Sequence, residues 1–379
     1  MESTPRRCTR CIMDTTAAGI SFDEEGRCNY CTDFLKRLEH YQPATPEDLR
    51  IRREALIARI KREGKGKAYD CIVGLSGGAD SAYALYLAKE SGLRPLAVHM
   101  DNGWDSELAA NNIENLVRKL GVDLYTHVIN WDEYRRLMQA FFDANVIDVE
   151  LLYDNAMLAV NYQMGDKYGL KWILAGTNTT TEGMPVPDNW NWYKFDKRNI
   201  IAIAKRSGVK LRTFPAAGTI DLWWKRVVKR IRWLTFLDYI DYYKPACLEF
   251  LVKELDYRPY PYKHYESIFT RFYQGYILPM KFGIDKRKLH LSTLIMSGQM
   301  SRAEALQLMT CPPYPSQEAL QDDIEYFLKK MGWTKEQLAA YLKQPEVPHN
   351  EYGSERILAG RINKFSRLVK SAKARAFGA

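Results

Sequence analysis

The sequence predicts an α/β protein with a doubly wound parallel sheet, preceded by a small cysteine-rich module and followed by a mainly helical region. Apolar, β-branched runs alternate with helical patterns in the centre of the chain, which is typical of a parallel sheet covered by helices on both faces. Helices, aromatic residues and loops replace this alternation further along. We therefore divide the chain into a cysteine module at 1–40, a linker helix at 41–67, a sheet domain at 68–220 and a helical region at 221–379.

The composition is that of a globular chain with a basic surface. The 379 residues are 46% hydrophobic and 12% aromatic, enough for buried cores and unlike a disordered chain. The first residues, MESTPRRC, lack the apolar run of a secretory signal, and no uncharged apolar stretch reaches the roughly 18 residues of a membrane span, so a cytoplasmic location is expected. The net charge of +9 favours nucleotides, sugar nucleotides, RNA or an anionic membrane surface as partners, and it also fits an enzyme that is merely basic.

The cysteine module contains two pairs with the spacing of a metal site. Cys8-x-x-Cys11 and Cys28-x-x-Cys31 are separated by 16 residues, as in two knuckles that bring four thiolates into a tetrahedron around Zn²⁺. Four protein ligands leave no open position, so the predicted zinc is structural. The alternative is a set of surface thiols without metal.

The linker helix and the strands follow in order. Thr45-Pro46 has the pattern of a helix N-cap followed by a first-turn proline. Four strands are predicted at residues 70–75, 94–101, 123–130 and 171–176, the first of them of buried type. Capping boxes predict later helices at about 302–309 and 335–343. Because ligands of doubly wound sheets bind at the carboxyl ends of the strands, the residues that follow these strands are the candidate site.

A glycine-rich loop, Leu75-Ser-Gly-Gly-Ala-Asp-Ser81, joins the first predicted strand to its helix. Two glycines let the backbone close on an anion, and the helix N-terminus points N–H groups at it. The candidate ligand-binding residues are Ser76, Gly77, Gly78, Ala79, Asp80 and Ser81. Asp80 is placed to hold Mg²⁺ against phosphate oxygens. No lysine follows the glycines, so the loop differs from the motif that binds β- and γ-phosphates. The alternative is a plain glycine turn that caps a helix.

This loop resembles the SGGxDS motif of the PP-loop ATP pyrophosphatases, which have a HUP-like fold, and the resemblance covers about residues 68–205. It implies that ATP is cleaved between its α- and β-phosphates to give an adenylated substrate and pyrophosphate. It also implies that Asp101, at the end of the second strand, and Gly176, Thr177 and Asn178, after the fourth, line the ATP site.

A closer resemblance spans most of the chain. The motifs CTRCIMD, GLSGGADS and AGTN and the long run that begins at Lys263 are similar to the N-acetyl sugar amidotransferases of the WbpG and PseA group. This group implies conversion of a sugar N-acetyl group into an acetamidino group with ATP and ammonia, in lipopolysaccharide O-antigen or flagellar glycan synthesis. The implied acceptor is a UDP-linked diacetamido uronic acid for the WbpG branch and a nonulosonic acid derivative for the PseA branch.

Candidate catalytic and substrate-binding residues complete the predicted site. We assign catalysis to Asp80, Ser81, Lys281 and Glu182, the last as a residue that orients ammonia. The cations of the later run are candidates for the diphosphate and carboxylate of the sugar nucleotide, namely Lys263, His264, Arg271, Lys286 and Arg287, with Lys288 and His290 beside them. Taken one at a time, each of these charges also fits a solvated or structural role.

The nitrogen source is predicted to lie outside this chain. Position 2 is Glu, and Cys71, Cys247 and Cys311 lack the glycine-flanked elbow of a glutaminase nucleophile. The family resemblance implies ammonia from a separate HisH-like glutaminase with a HisF-like partner. The main rival is a tRNA-modifying PP-loop ATPase, although the lack of further paired cysteines argues against sulfur transfer and no nucleic acid is expected as a partner. A scaffold with a vestigial nucleotide fold is the rival that is not an enzyme.

Residues 220–240 form a basic, amphipathic stretch with a helical pattern. Five apolar residues share one predicted face, namely Ile220, Trp224, Val227, Ile231 and Leu234. Three interpretations remain open: a helix packed into the core, a helix that docks a partner protein, and a helix at a membrane interface.

Overall fold

Five parallel strands form the central sheet in this computed structural model, which describes residues 5–41, 45–261, 265–362 and 364. The strands are β1 (Cys71–Leu75), β2 (Pro95–Asp101), β3 (Asp123–Val128), β4 (Trp172–Ala175) and β5 (Arg232–Thr235). Their order in the sheet is β3-β2-β1-β4-β5, and every pairing is parallel. The predicted doubly wound parallel sheet is therefore confirmed, and the four predicted strands agree with the observed ones to within two residues at each end.

The fifth strand was predicted as helix, and this part of the prediction is wrong. The segment begins as a helix but turns at Arg230, whose φ of 56° is in the left-handed region, and continues as β5 beside β4. Ile231 and Leu234 fit a helical face and a short strand equally well, so periodicity could not separate the two. The sheet consequently extends past the boundary predicted at residue 220.

Helices occupy most of the remaining chain. Before β5 they are α1 (Asn29–Tyr41), α2 (Pro46–Gly64), α3 (Ala79–Glu90), α4 (Glu107–Leu120), α5 (Trp131–Asp143), α6 (Leu151–Lys167), α7 (Thr179–Glu182), α8 (Lys197–Arg206) and α9 (Thr219–Trp223), which a π-helical turn extends over Trp224–Val228. After β5 they are α10 (Lys244–Leu255), α11 (Ile268–Phe272), α12 (Leu278–Phe282), α13 (Arg287–Met296), α14 (Arg302–Leu308), α15 (Gln317–Met331) and α16 (Lys335–Lys343). Short 3₁₀ segments lie at Phe236–Tyr239 and His349–Tyr352, and a second π turn at Tyr273–Ile277 joins α11 to α12. Among the described helices, none is long and apolar enough to cross a bilayer.

Three predicted helix starts are confirmed by their caps. The Thr45 hydroxyl accepts a hydrogen bond from the Asp48 amide at the start of α2. Capping boxes begin α14 at Ser301 and α16 at Thr334. Each cap satisfies amide groups that the first helical turn leaves without a partner.

Two apolar cores cover the two faces of the sheet. Side chains alternate along β1, so that Ile72 faces one core while Cys71 and Val73 face the other. The Ile72 core also contains α6, the cysteine module and much of the C-terminal region, and the Val73 core contains α2, α3 and α10. The strand order reverses between β1 and β4, which places the ends of these two strands at the switch point where doubly wound sheets bind ligands.

Candidate functional site

The four cysteines of the N-terminal module converge on one point. Their sulfur atoms all lie within 4.8 Å of one another, and all four residues are buried. The Sγ–Sγ distances are 3.8 Å for Cys8–Cys31 and 3.6 Å for Cys11–Cys28. A tetrahedral zinc with Zn–S bonds of about 2.3 Å places its sulfurs about 3.8 Å apart. The sulfur geometry therefore fits the predicted zinc site.

Two arginines support this cluster from outside. The guanidinium group of Arg10 donates to Cys31 Sγ at 3.1 and 3.3 Å. Hydrogen bonds with Cys11 and Cys28, together with this guanidinium, lower the pKa of the Cys31 thiol to about 6. Arg302, on α14, donates to the carbonyl oxygens of Cys8 and Cys11. These contacts fix the cysteine module to the C-terminal region, and the four sulfur atoms are compatible with a zinc ion that has no open coordination position.

The glycine loop after β1 closes in the way that an anion site requires. Gly77 has a φ of 82°, a conformation that favours glycine, and Gly78 is the N-cap of α3. The Ser81 hydroxyl donates to the Gly78 carbonyl at 2.9 Å and accepts from the Ser76 amide at 3.3 Å. Ser81 therefore fixes the curvature of the loop at the start of α3, where a helix N-terminus offers amide groups to an anion.

Gly176, after β4, lies directly against this loop. A Cβ atom at Gly176 would lie 2.5 Å from the Ser81 amide nitrogen and 2.6 Å from the Asp80 carbonyl carbon. Both neighbours are backbone atoms, so only a glycine allows the two strand ends to approach this closely. The geometry joins the two predicted halves of the ATP site.

The carboxylate of Asp80 has two partners from the segment after β5. Lys244 Nζ lies 2.8 Å from Asp80 Oδ2, and the Tyr242 hydroxyl donates to Asp80 Oδ1. Burial and the neighbouring Asp80 charge raise the pKa of Tyr242 above its usual value, so this phenol remains a donor. A lysine that the sequence analysis missed is thereby placed beside the predicted Mg²⁺ ligand.

A cavity of about 370 Å³ opens over the loop and is lined by two separate parts of the chain. The predicted residues Ser76, Gly78, Ala79, Asp80, Ser81, Gly176, Thr177 and Glu182 line it, together with Lys244. Tyr257, Tyr260, Glu266 and His290 line it from the C-terminal side. The Tyr257 and Tyr260 hydroxyls each donate to the Gly77 carbonyl at 3.1 Å, and burial raises the pKa of both phenols.

Glu266 reaches the cavity because the loop after β2 holds its backbone. The Ser106 amide donates to the Glu266 carbonyl at 2.9 Å, and Asp105 forms an isolated antiparallel bridge with Ser267. His99, on β2, contacts Asp105 Oδ2 at 2.9 Å. Burial lowers the pKa of His99, but the Asp105 carboxylate and the Leu75 carbonyl outweigh it and raise this pKa above its usual value. The His99–Asp105 pair thus orders the contact that places Glu266 over the glycine loop.

Three predicted ATP-site residues play a local role instead of lining the cavity. The Asp101 carboxylate accepts from the Gly103 amide at 2.7 Å. The buried Asn178 caps α7 by accepting from the Thr181 amide. Gly77 contributes its carbonyl oxygen to the two tyrosines. These residues shape the walls of the site.

The predicted substrate-binding cations are not brought together at the cavity. Arg271 forms two hydrogen bonds to the buried Asp323, Lys286 pairs with Glu150 at 2.8 Å, and Arg287 pairs with Asp285 at 2.7 Å. None of these three lines the cavity among the described residues. The fourth and fifth candidates, Lys263 and His264, lie outside the described residues. Arg271, Lys286 and Arg287 therefore form the structural pairs that were the alternative, whereas His290 lines the cavity.

Lys281 is also remote from the cavity. Its ammonium group donates to Asn145 Oδ1 and to the carbonyl oxygens of Tyr341 and Gln344, between 2.6 and 2.9 Å. It also lies 4.2 Å from the centre of the Tyr341 ring. Burial lowers the pKa of Lys281 to about 8. The contacts explain Lys281 as the link between α12 and α16, and the catalytic role predicted for it has no support in this geometry.

Family models match the two halves of the chain that meet at this cavity. One family model, described as NAD synthase, matches residues 54–185. A second model, described as the C-terminal domain of WbpG-like LPS biosynthesis proteins, matches residues 266–368. The fold, its glycine loop and the match over residues 54–185 thus define a PP-loop domain of the ATP pyrophosphatase class. With the C-terminal match, the chain is a WbpG-like PP-loop protein, as its resemblance to this group implied.

Individual relatives match shorter parts. An uncharacterized protein of Methanocaldococcus jannaschii is 35% identical over 119 residues, which are 31% of this chain and 41% of that protein. A tRNA(Ile)-lysidine synthase of Chlamydia pneumoniae is 39% identical over 64 residues, or 16% and 20% of the two chains. This chain thus spans less than half the length of either relative. Among solved structures, the NMN synthetase of Francisella tularensis has a TM-score of 0.31 and 16% identity, over 44% of this chain and 73% of that one.

Proposed function

We propose that this protein is an ATP-dependent amidotransferase that converts the N-acetyl group of a nucleotide-linked sugar into an acetamidino group. A UDP-diacetamido uronic acid is the proposed acceptor, and surface polysaccharide synthesis, including the O-antigen of lipopolysaccharide, is the proposed pathway. The observation that carries the proposal is that residues of the PP-loop domain and Glu266 and His290 of the WbpG-like domain line the same cavity.

The proposed reaction has two steps. The acetamido oxygen attacks the α-phosphorus of ATP, forming a C–O–P linkage and releasing pyrophosphate. Ammonia then adds to the acetamido carbonyl carbon, the added nitrogen gives up one proton, and AMP departs with the original oxygen to leave an amidinium group. An amide oxygen is a poor leaving group, and adenylation converts it into a good one, so ATP supplies the driving force for substitution.

The residues of the chain fit the first step. Gly78 and Ala79 line the cavity at the start of α3, and a helix N-terminus stabilises departing phosphate charge. Lys244 adds a cation at the same place, 2.8 Å from Asp80. Asp80 has the chemistry of a Mg²⁺ ligand, and the ion, when bound, would neutralise pyrophosphate oxygens. Glu182 lines the cavity and remains our candidate for orienting ammonia.

Ammonia is proposed to come from a separate HisH-like glutaminase with a HisF-like partner. Of the three cysteines outside the zinc module, Cys71 and Cys247 are buried within the sheet domain core, and burial raises the pKa of both thiols. Cys311 is exposed, and its sulfur atom lies 4.0 Å from the hydroxyl oxygen of Thr310. A thiol with a raised pKa is a poor nucleophile at neutral pH. The isolated chain should therefore use ammonium salts increasingly well as pH rises and should leave glutamine unchanged.

The test is incubation of the protein with ATP, Mg²⁺, UDP-sugars and heavy-nitrogen-labelled ammonium, with mass spectrometry of the sugar and measurement of AMP and pyrophosphate. Incorporation of one labelled nitrogen in place of the acetamido oxygen is the expected result. ADP and phosphate as main products would contradict the proposed chemistry. Asp80→Asn should abolish turnover without unfolding the protein.

A tRNA-modifying activity is the second candidate, because 64 residues of this chain are 39% identical to part of a tRNA(Ile)-lysidine synthase. The two candidates differ in their acceptor. Pyrophosphate release stimulated by tRNA and lysine, and not by UDP-sugars, would favour the second candidate.

A further inference from the structure

The helical segment formed by α9 and its π turn exposes large apolar side chains to solvent. Five residues of this segment are 40% to 63% exposed, namely Ile220, Trp223, Trp224, Val227 and Val228. We call these five residues the tryptophan face. Single exposed apolar residues are common on protein surfaces, but a cluster with two tryptophans on ten consecutive residues marks an interaction site. The core-packing interpretation of Ile220, Trp224 and Val227 is therefore wrong, and only Ile231 of that predicted face is fully buried.

The basic residues of the same segment are turned back against the protein. Lys225 and Lys229 both pair with the Asp166 carboxylate, at 2.6 and 3.1 Å. Arg226 donates to the neutral hydroxyl of Tyr162 at 2.9 Å. The carboxylate within the segment, Asp221, pairs with Lys197, so Asp166 alone faces three cations and the base of the segment keeps a net positive charge. A helix that packs on a core buries its apolar side. In this segment the apolar side faces solvent, and the cations contact the protein.

A second basic segment begins beside the first. The Thr219 amide, at the start of α9, donates to the Glu355 carboxylate at 2.6 Å, and residues 356–362 are helical. Ile357 and Leu358 in this helix are 73% and 39% exposed. From residue 356 to the end the sequence has no Asp or Glu and seven basic residues, namely Arg356, Arg361, Lys364, Arg367, Lys370, Lys373 and Arg375. Arg356 itself pairs with the Asp188 carboxylate at 2.6 Å, and the sequence that follows it adds only positive charge.

We propose that the tryptophan face binds the surface of an anionic phospholipid bilayer. Tryptophan side chains partition into the headgroup region, and interfacial helices combine an apolar face with flanking lysine and arginine. A negative membrane surface complements the positive charge of Lys225, Arg226 and Lys229, which Asp166 neutralises only in part. It also complements the basic sequence after Glu355. The absence of a membrane-spanning helix among the described residues fits attachment at the surface. The protein therefore binds as a peripheral enzyme, independently of which acceptor it uses.

The test measures co-sedimentation of the full-length protein with phosphatidylglycerol-containing vesicles and with pure phosphatidylcholine vesicles. We expect binding to the anionic vesicles that decreases at high salt, and a blue shift of tryptophan emission. Trp223→Ser/Trp224→Ser should weaken binding by about tenfold or more. The matched control is Ile51→Ser, which removes an apolar residue that is 51% exposed on a different helix, α2, and this variant should bind as the wild type does.

Three results would overturn the proposal. The first is no binding to anionic vesicles, and the second is binding that the double variant keeps in full. The third is a dimer, or a complex with a HisH-like glutaminase, that forms through the tryptophan face and is lost in the double variant while vesicle binding remains. Circular dichroism and thermal unfolding of the double variant should match the wild type, because both side chains are exposed.

Discussion

Substitution of Gly176 by alanine should separate the two strand ends that form the site. The added methyl carbon would lie 2.5 Å from the Ser81 nitrogen and 2.6 Å from two other backbone atoms of the loop. Ordinary contacts need about 3.5 Å, so the segments must move apart by about 1 Å. Displacement of this size in an active site costs about 100-fold in rate, and overpacking of this kind costs about 1–3 kcal/mol of stability.

Pyrophosphate release in the presence of ATP and acceptor measures the first effect, and thermal unfolding measures the second. We expect the catalytic loss to exceed what the fall in stability explains at the assay temperature. The control is Gly360→Ala, since a Cβ there has no atom within 4 Å and the helical backbone accepts it. If Gly176→Ala retained wild-type turnover, the close approach of the β4 loop to the glycine loop would not matter for catalysis.

Three further substitutions test other parts of the structure. Lys244→Met should lower pyrophosphate release by about tenfold or more, because it removes the cation beside Asp80, and unchanged kinetics would exclude this role. Cys28→Ser should abolish stoichiometric zinc binding, and metal-free but well-folded wild type would contradict the zinc site. Burial lowers the pKa of His349 to about 4, so the wild type should lose up to about 3 kcal/mol of stability as pH falls from about 6.5 through 4, whereas His349→Gln should show a flatter profile in that window.

Features that depend on local sequence were predicted well. The cysteine pairs and the glycine loop are complete within short segments, and β1, β2 and β4 are apolar runs of strand length. Each of these patterns depends only on residues that are close in sequence, so it can be recognised without knowing which residues pack against it. The residues Ser76, Asp80 and Gly176 meet at the cavity because parallel strands end at one edge of the sheet.

Features that depend on distant partners could not be predicted. Whether Arg271 binds substrate or a protein carboxylate depends on Asp323, which lies 52 residues further along the chain. Lys286 pairs with Glu150 across 136 residues. Lys244 was missed for the same reason, since its sequence neighbours carry no motif and only the fold places it beside Asp80. A cationic residue in a sequence does not reveal which anion neutralises it.

Helix α13 connects the cysteine module to the cavity. On one side of this helix Lys288 pairs with the buried Asp14 at 2.6 Å, and Ser292 accepts from the Ile12 amide at 3.2 Å. On another side His290 lines the cavity and lies 3.3 Å from the Thr181 carbonyl. The cysteine module is therefore part of the support that positions His290, although no cysteine reaches the cavity. Loss of zinc should consequently raise KM for the acceptor more than it affects the glycine loop, because α3 and the ends of β1 and β4 are held by the sheet and do not depend on the module.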